Sequence, residues 1–221
     1  MLHDWSIEPR ECARHEERRG RRHAFEQMDP SRTALVVVDM VPFFVEQNLY
    51  ARGIVGNIER LAGALRSVGG AVAWVLPSTE PLPPARTEFF GPTIAERYRM
   101  SGGTGPLRDR LWHELQVDLA DLLVEKSSPS AFFPGHCALA AQLDRLGVDT
   151  VLVAGTVANV CCESTARDAS TLGYRVVMVA DANAAMRDRD LDATLHTFHR
   201  SFGDVRPTDE LIDLLATPPI D

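Results

Sequence analysis

Short runs of branched apolar residues recur along the chain, and most are followed by a turn and a stretch with helical periodicity. These runs lie at residues 34–38, 71–76, 122–124, 151–154 and 176–180. They are short and β-branched, and their lack of polar alternation is typical of strands covered on both faces. Because strands that alternate with helices indicate parallel β–α–β units, the pattern predicts an α/β fold.

The stretches between these runs carry apolar residues three and four positions apart. This spacing predicts helices over residues 55–67, 107–115, 138–146, 193–202 and 209–215, with a last short strand over 203–205. The Pro-rich stretch 77–92 is predicted to be a loop.

Residues 1–32 differ from the rest, because acidic and basic residues interleave there with few apolar ones. We expect a solvated helix, or an arm that lies on the domain or on a neighbouring subunit. The run of arginines at residues 18–22 does not indicate a nucleic-acid arm, since acids and bases nearly balance. The domain proper is predicted to begin at Thr33 and to continue to residue 221.

Composition narrows the class of partner. A chain of 221 residues can bury one sizeable core, and a net charge of -8 argues against nucleic acid or an anionic membrane as partner. No apolar run approaches a membrane span, and the N-terminus lacks the apolar region of a signal peptide. The four cysteines show neither metal-site spacing nor a dense disulfide pattern. We therefore expect a reduced, cytoplasmic protein that acts on a small molecule.

The stretch 149–181 carries the strongest chemical signal, a strand–turn–helix–strand unit with two adjacent cysteines after the turn. Asn159 suits an N-cap, which would place Cys161 and Cys162 in the first helical turn. The N–H groups and dipole of a helix start lower the pKa of a cysteine and can stabilise an oxyanion. Cys162 shares a helical face with small residues and is expected to pack inward, which leaves Cys161 as the candidate nucleophile.

Three ionisable residues follow predicted strands: Asp39 the first, Lys126 the third and Cys161 the fourth. In parallel sheets ligands bind beyond the carboxyl ends of the strands, so these residues are expected to share one edge. A carboxylate there can accept the thiol proton and return it to a leaving amine. A nearby ammonium favours the ionised form of both partners.

Each of these residues also has a structural interpretation, as a buried cysteine, a turn aspartate or a solvated lysine. Four residues near strand ends are weaker candidates for substrate contact: Phe44, Asn48, Trp74 and Phe132. Aromatic side chains are more often part of a core than of a binding site.

Three motifs carry a family resemblance: TALVVVDM at residues 33–40, EKSSPSAFF at 125–133 and GTVANVCCESTARDASTLGY at 155–174. The chain resembles the isochorismatase-like cysteine hydrolases from about Thr33 to Leu215. That superfamily includes N-carbamoylsarcosine amidase, ureidoacrylate and biuret amidohydrolases, nicotinamidases and isochorismatases. The resemblance implies a three-layer α/β/α fold with a central, mostly parallel sheet, and assembly as a homo-oligomer, a dimer or tetramer.

The resemblance also implies roles for individual residues. Asp39 matches the general acid/base of the family, Lys126 its lysine and Cys161 its nucleophile. A cis peptide bond is expected between Val157 and Ala158, and the backbone N–H groups of Ala158 and Cys161 are expected to form the oxyanion hole.

Departures from relatives narrow the expected chemistry. Nicotinamidases hold a metal with histidines soon after the first strand, whereas residues 39–80 contain no histidine, so we predict neither metal nor cofactor. Isochorismatases proper do not use the cysteine, and the presence of Cys161 therefore favours hydrolysis of an amide, ureido or carbamoyl C–N bond through a thioester. Two alternatives stay open: a vinyl-ether hydrolase that would not need Cys161, and a non-catalytic binding or scaffold protein. The presence of all three ionisable residues argues against the scaffold.

Overall fold

The computed structural model describes residues 1–217, and a six-stranded sheet lies at its centre. The strand order is β3-β2-β1-β4-β5-β6, and all neighbouring strands are parallel. The strands are β1 (Thr33–Val38), β2 (Ala71–Pro77), β3 (Leu122–Lys126), β4 (Thr150–Thr156), β5 (Arg175–Ala184) and β6 (Asp204–Arg206). Every residue of the two central strands, β1 and β4, is buried, as their unbroken apolar character predicts.

Helices cover both faces of the sheet. They are α1 (Pro9–Arg19), α2 (Pro42–Val45), α3 (Leu49–Gly53), α4 (Val55–Ser67), α5 (Pro84–Phe90), α6 (Pro92–Arg99), α7 (Leu139–Arg145), α8 (Glu163–Thr171), α9 (Asp188–Ser201) and α10 (Thr208–Ala216). The buried residues of α4 and α10 pack in one core, and those of α7, α8 and α9 pack in a second core on the opposite face. The predicted three-layer α/β/α fold is confirmed.

Two predictions in the middle of the chain are wrong. Residues 107–115 form only a 3-10 turn, Leu107–Arg110, followed by irregular chain with a second turn in which the Leu115 N–H donates to the Trp112 carbonyl. Tertiary hydrogen bonds hold this segment out of a helix. The Arg110 guanidinium donates to the carbonyl oxygens of Gly102 and Pro77. The backbone N–H of Trp112 donates to the Met40 carbonyl oxygen.

The stretch 77–92 is not simply a loop, because it contains α5 and the start of α6. Each of these helices has a proline at its first position, Pro84 and Pro92. Proline favours that position because its ring fixes a helical φ and its missing N–H would have no partner there. The prolines therefore begin helices in this segment.

The N-terminal arm lies on its own domain, along α9. The two ring nitrogens of His3 contact the Asp188 carboxylate at 2.6 Å and the Ala185 backbone N–H at 3.1 Å. Farther along, His15 Nε2 is 2.9 Å from the His199 carbonyl oxygen. The arm is thus joined to α9 near both ends of that helix. No helix within residues 1–217 is long and apolar enough to span a membrane.

Candidate active site

A cavity of about 700 Å³ opens at the carboxyl edge of the sheet. Asp39 follows β1, Lys126 ends β3 and Cys161 follows β4, and all three line this cavity. The structure therefore brings together the three residues that the sequence placed at one sheet edge.

The backbone of Asp39 leaves the sheet in a conformation that few non-glycine residues adopt. Its φ is 53°, in the left-handed region, and its N–H still donates to the Val75 carbonyl at 2.8 Å. The side chain is 1% exposed. Strain of this kind costs about 1–3 kcal/mol and persists only where the surroundings hold it, which makes this position a candidate for a functional role.

Lys126 forms a buried ion pair with Asp39. Its Nζ lies 2.8 Å from Asp39 Oδ2, and the two side chains are 3% and 1% exposed. The ammonium also donates to the Ser128 carbonyl at 3.2 Å. Cys161 lines the same cavity, close enough for Asp39, Lys126 and Cys161 to shift one another's pKa. Sulfur, carboxylate and ammonium therefore lie together in one cavity.

Burial and mutual charge set the protonation of this cluster. Burial raises the pKa of Asp39 more than the Lys126 charge lowers it. For Lys126, burial disfavours the charged ammonium, but the charge of Asp39, and that of Cys161 when it is ionised, outweigh burial and raise the pKa. Burial and the Asp39 charge together raise the pKa of Cys161 to about 12. At neutral pH the resting cysteine is thus a thiol, and the expected lowering of its pKa by the helix start is wrong.

The cysteines lie in a single π-helical turn, Ala158–Cys162, which leads directly into α8. Asn159 is inside this turn and not its cap; the capping position is Val157. Cys161 lines the cavity, whereas Cys162 is fully buried in the core with residues of α8. The two adjacent cysteines therefore face different environments, as the sequence predicted.

A glycine allows the cysteine loop to approach Asp39. Gly155 has φ 119°, and a Cβ atom there would lie 2.2 Å from the Val38 carbonyl oxygen. Because Val38 directly precedes Asp39, this close contact between β1 and β4 brings the two catalytic candidates to the same point. No other residue type fits this position without displacing a strand.

The predicted cis peptide bond is displaced by one residue. It joins Thr156 to Val157, and not Val157 to Ala158. Ala158 is fully buried in the core, whereas Val157 lines the cavity. The backbone that faces the cavity thus begins one residue earlier than the motif suggested.

Of the four weaker candidates, the structure brings only Phe44 to the cavity. Asn48 caps α3 by accepting from the Tyr50 N–H and donates to the Ala185 carbonyl. Trp74 is fully buried in β2 and donates from its indole to Asp121 at 2.7 Å. Phe132 is 3% exposed and belongs to the core. These three have structural roles, and the prediction of substrate contact for them is wrong.

The sequence reasoning missed most of the cavity wall. Several lining residues come from α5, α6 and the segments before them and after β3: Leu82, Arg86, Phe90, Tyr98, Ser128 and Ser130. Phe133, an aromatic residue near a strand end that could line a pocket, does line it. The helix-starting prolines could have revealed α5 and α6, and hence a wall beside the second strand end. Within residues 1–217 no group of three histidine, cysteine or acidic side chains is arranged to hold a metal ion.

Comparisons with known proteins agree with this geometry. A ureidoacrylate amidohydrolase of Rhizobium rhizogenes is 29% identical over 199 residues, 80% of each chain. A cysteine hydrolase structure from Pseudomonas syringae pv. phaseolicola superposes with a TM-score of 0.77 at 27% identity, covering 87% of this chain and 96% of that one. N-carbamoylsarcosine amidase from Thermoplasma acidophilum gives 0.66 at 29% identity, covering 80% and 97%. The isochorismatase domain profile matches residues 33–210, and the chain therefore belongs to the isochorismatase family of hydrolases.

Proposed function

We propose that the protein hydrolyses a C–N bond of a small amide, ureido or carbamoyl compound through a thioester on Cys161. The observation that carries this proposal is the placement of Cys161 in one cavity with the buried Asp39–Lys126 ion pair. The arrangement offers a nucleophile, a base that can take its proton and a cation that holds the base in place.

Acylation begins with transfer of the thiol proton to Asp39 as Sγ attacks the carbonyl carbon. A thiol with a pKa near 12 is a weak nucleophile, so removal of the proton during attack is what makes the sulfur reactive. The raised pKa of Asp39 brings its basicity closer to neutral pH, which favours the transfer. We propose that the backbone N–H groups of Cys161 and Val157 receive the oxyanion, since both residues line the cavity.

Collapse of the tetrahedral intermediate breaks the C–N bond. Asp39 returns its proton to the leaving nitrogen, ammonia or an amine departs, and a thioester remains on Cys161. Water then gives a proton to Asp39 and attacks the thioester. Cleavage of the C–S bond releases the acid and restores the thiol with the proton that Asp39 held. Lys126 stays protonated throughout because the anion beside it, first Asp39 and then the Cys161 thiolate, raises its pKa.

Two relatives support the choice of bond. The names ureidoacrylate amidohydrolase and N-carbamoylsarcosine amidase both describe hydrolysis of a C–N bond in a ureido or carbamoyl group. Both proteins are 29% identical to this chain. A vinyl-ether hydrolase would have no use for a cysteine in one cavity with the acid and the lysine. The cluster thus favours the C–N bond over the ether.

The direct test is ammonia release across a panel of amides, ureides and carbamoyl amino acids, with Cys161→Ala as the inactive variant. Cys162→Ala is the matched control, because it removes the neighbouring sulfur from the core and leaves the cavity intact. We expect turnover to vanish in the first variant and to persist in the second. Intact-mass detection of an acyl adduct on Cys161 identifies the thioester. Undiminished hydrolysis by Cys161→Ala would contradict the mechanism.

A further inference from the structure

One wall of the cavity is a continuous chain of aromatic rings from α2, α5 and α6. Ring centroids are 4.9 Å apart for Phe44 and Phe43, 6.1 Å for Phe43 and Tyr98, and 5.0 Å for Tyr98 and Phe90. These separations are typical of favourable edge-to-face and tilted aromatic pairs. Phe44, Tyr98 and Phe90 line the cavity that contains Cys161.

Contacts of two lining arginines hold this wall in place. The Arg86 guanidinium lies over the Phe90 ring at 4.9 Å, and Arg99 of α6 donates to the Thr79 carbonyl at 3.0 Å. Arg99 is also paired with Glu96 on its own helix at 2.6 Å. Because these contacts form without a ligand, the rings lose little further freedom when one binds.

The size of the cavity exceeds what a simple ureide needs. Its volume of about 700 Å³ is within the range of roughly 300–1,000 Å³ found for sites that enclose drug-sized ligands. An unsubstituted amide held at Cys161 would fill only the base and leave the rings of Phe90 and Tyr98 in water. Tyr98 is already 40% exposed, so a ligand that covers it removes apolar surface from solvent.

We infer that the substrate carries an aromatic ring, or a bulky apolar group of similar size, next to the scissile C–N bond, and that this group packs on Tyr98 and Phe90. The inference rests on the proposed function and specifies the substrate class of that site. Charged residues farther from Cys161 in the lining have mixed sign, with Arg86, Arg99 and Arg167 against Glu80 and Asp168. The wall therefore selects for a ring and not for a particular net charge.

Matched substrate pairs test this inference. For N-carbamoylphenylalanine against N-carbamoylglycine, and phenylacetamide against acetamide, we expect kcat/KM to be about ten- to a hundredfold higher for the ring-bearing member. Tyr98→Ala and Phe90→Ala should lower that ratio. Tyr98→Phe should preserve it, and so should the control Phe89→Ala, which removes an adjacent ring that is 80% exposed and does not line the cavity.

A second readout separates the ring preference from the reaction. Chloroacetamide and N-benzylchloroacetamide can be compared for labelling of Cys161 by intact mass, without any turnover. We expect faster, saturable labelling by the benzyl reagent, lost in Tyr98→Ala and kept in Phe89→Ala. Equal labelling by both reagents, together with equal hydrolysis of both substrates in each pair, would overturn the inference while leaving the hydrolase proposal intact. Benzyl preference without any Cys161-dependent hydrolysis would contradict the proposed function and support the ring site.

Discussion

The sheet edge and the aromatic wall enclose the same cavity but differ in how they are held. Asp39 and Lys126, as whole residues, are 1% and 4% exposed. They lie at the ends of β1 and β3, and the backbone pairing of these strands with β2 fixes their register. Tyr98 is 40% exposed and lies on a two-turn helix outside the sheet. The proposed reacting groups are thus positioned by the core, whereas the rings proposed to contact the rest of a substrate lie on surface helices.

This difference implies different responses to change. Substitution at the sheet edge alters buried charges or contacts between strands. Changes of this kind are among the few that lower the free energy of unfolding by several kcal/mol. Substitution of an exposed ring on α6 should alter substrate preference at little cost in stability. Four further experiments test this contrast.

The largest effect is expected from Asp39→Asn. Loss of the general base should lower kcat/KM by about 10³-fold, within the range for acid–base catalysis. Alkylation of Cys161 by iodoacetamide at neutral pH should become faster, because the Asp39 charge that raises the cysteine pKa has been removed while Lys126 still lowers it. Turnover and alkylation would be measured on the same preparation. Loss of both turnover and Cys161 alkylation would indicate that the substitution disrupts the structure of the sheet edge and does not simply remove the base.

The next effect concerns the contact between β1 and β4. In Gly155→Ala the new methyl group would meet the Val38 carbonyl, and we expect the free energy of unfolding to fall by about 3 kcal/mol or more. Gly63→Ala on α4 is the control, since nothing lies within 4 Å of its added Cβ and alanine favours a helix. Urea unfolding monitored by circular dichroism measures both. Similar free energies of unfolding for the two variants would show that the sheet edge tolerates substitution as well as the exposed aromatic wall is expected to.

A third experiment follows the protonation of the edge with pH. Asp39 must be ionised to act as base, so kcat/KM should rise with pH on the acid side, with a midpoint above the ordinary value of 3.8 because its pKa is raised. The change approaches tenfold per pH unit below that midpoint. Thiolate absorbance, taken as the difference between wild type and Cys161→Ala, should appear only well above pH 9.0 because the pKa is about 12. Strong thiolate absorbance at neutral pH would contradict this account.

The smallest effect is expected from Cys162→Ala. The side chain is fully buried, and loss of its sulfur should lower the free energy of unfolding by about 1 kcal/mol, with kcat/KM changed less than threefold. Thermal unfolding and the ammonia assay report the two quantities. A loss of turnover as large as that of Cys161→Ala would show that the two cysteines act together.

Much of the sheet and its edge could be predicted because the relevant signals are local. The helix predicted at residues 55–67 coincides with α4, and the five main strands lie where branched apolar runs occur. Asp39 and Lys126 follow from the topology, since parallel strands bring their carboxyl ends to one edge. β5 continues to Ala184, beyond the predicted residue 180, across a shift in its pairing with β4 that no local pattern signals.

The rest of the site depends on tertiary contacts that a local pattern does not contain. Trp74 and Phe132 resemble pocket residues by position, but the side to which each points is decided by packing. Residues 107–115 have helical spacing, yet hydrogen bonds from Arg110 and Trp112 to distant carbonyls hold them in turns and irregular chain. The pKa of Cys161 follows from burial beside Asp39, which outweighs the helix start.

The ion pair between Asp39 and Lys126 would make the proposed proton transfer electroneutral. In the proposed mechanism the cluster holds a neutral thiol, one anion and one cation before attack. After the proton moves, it holds a thiolate, a neutral acid and the same cation. The sum is zero in both states, so the interior never has to accommodate a net charge during the step, which would be costly in a medium of low dielectric constant. Dissolved salt consequently has little to screen, and the chemical step should be nearly insensitive to ionic strength.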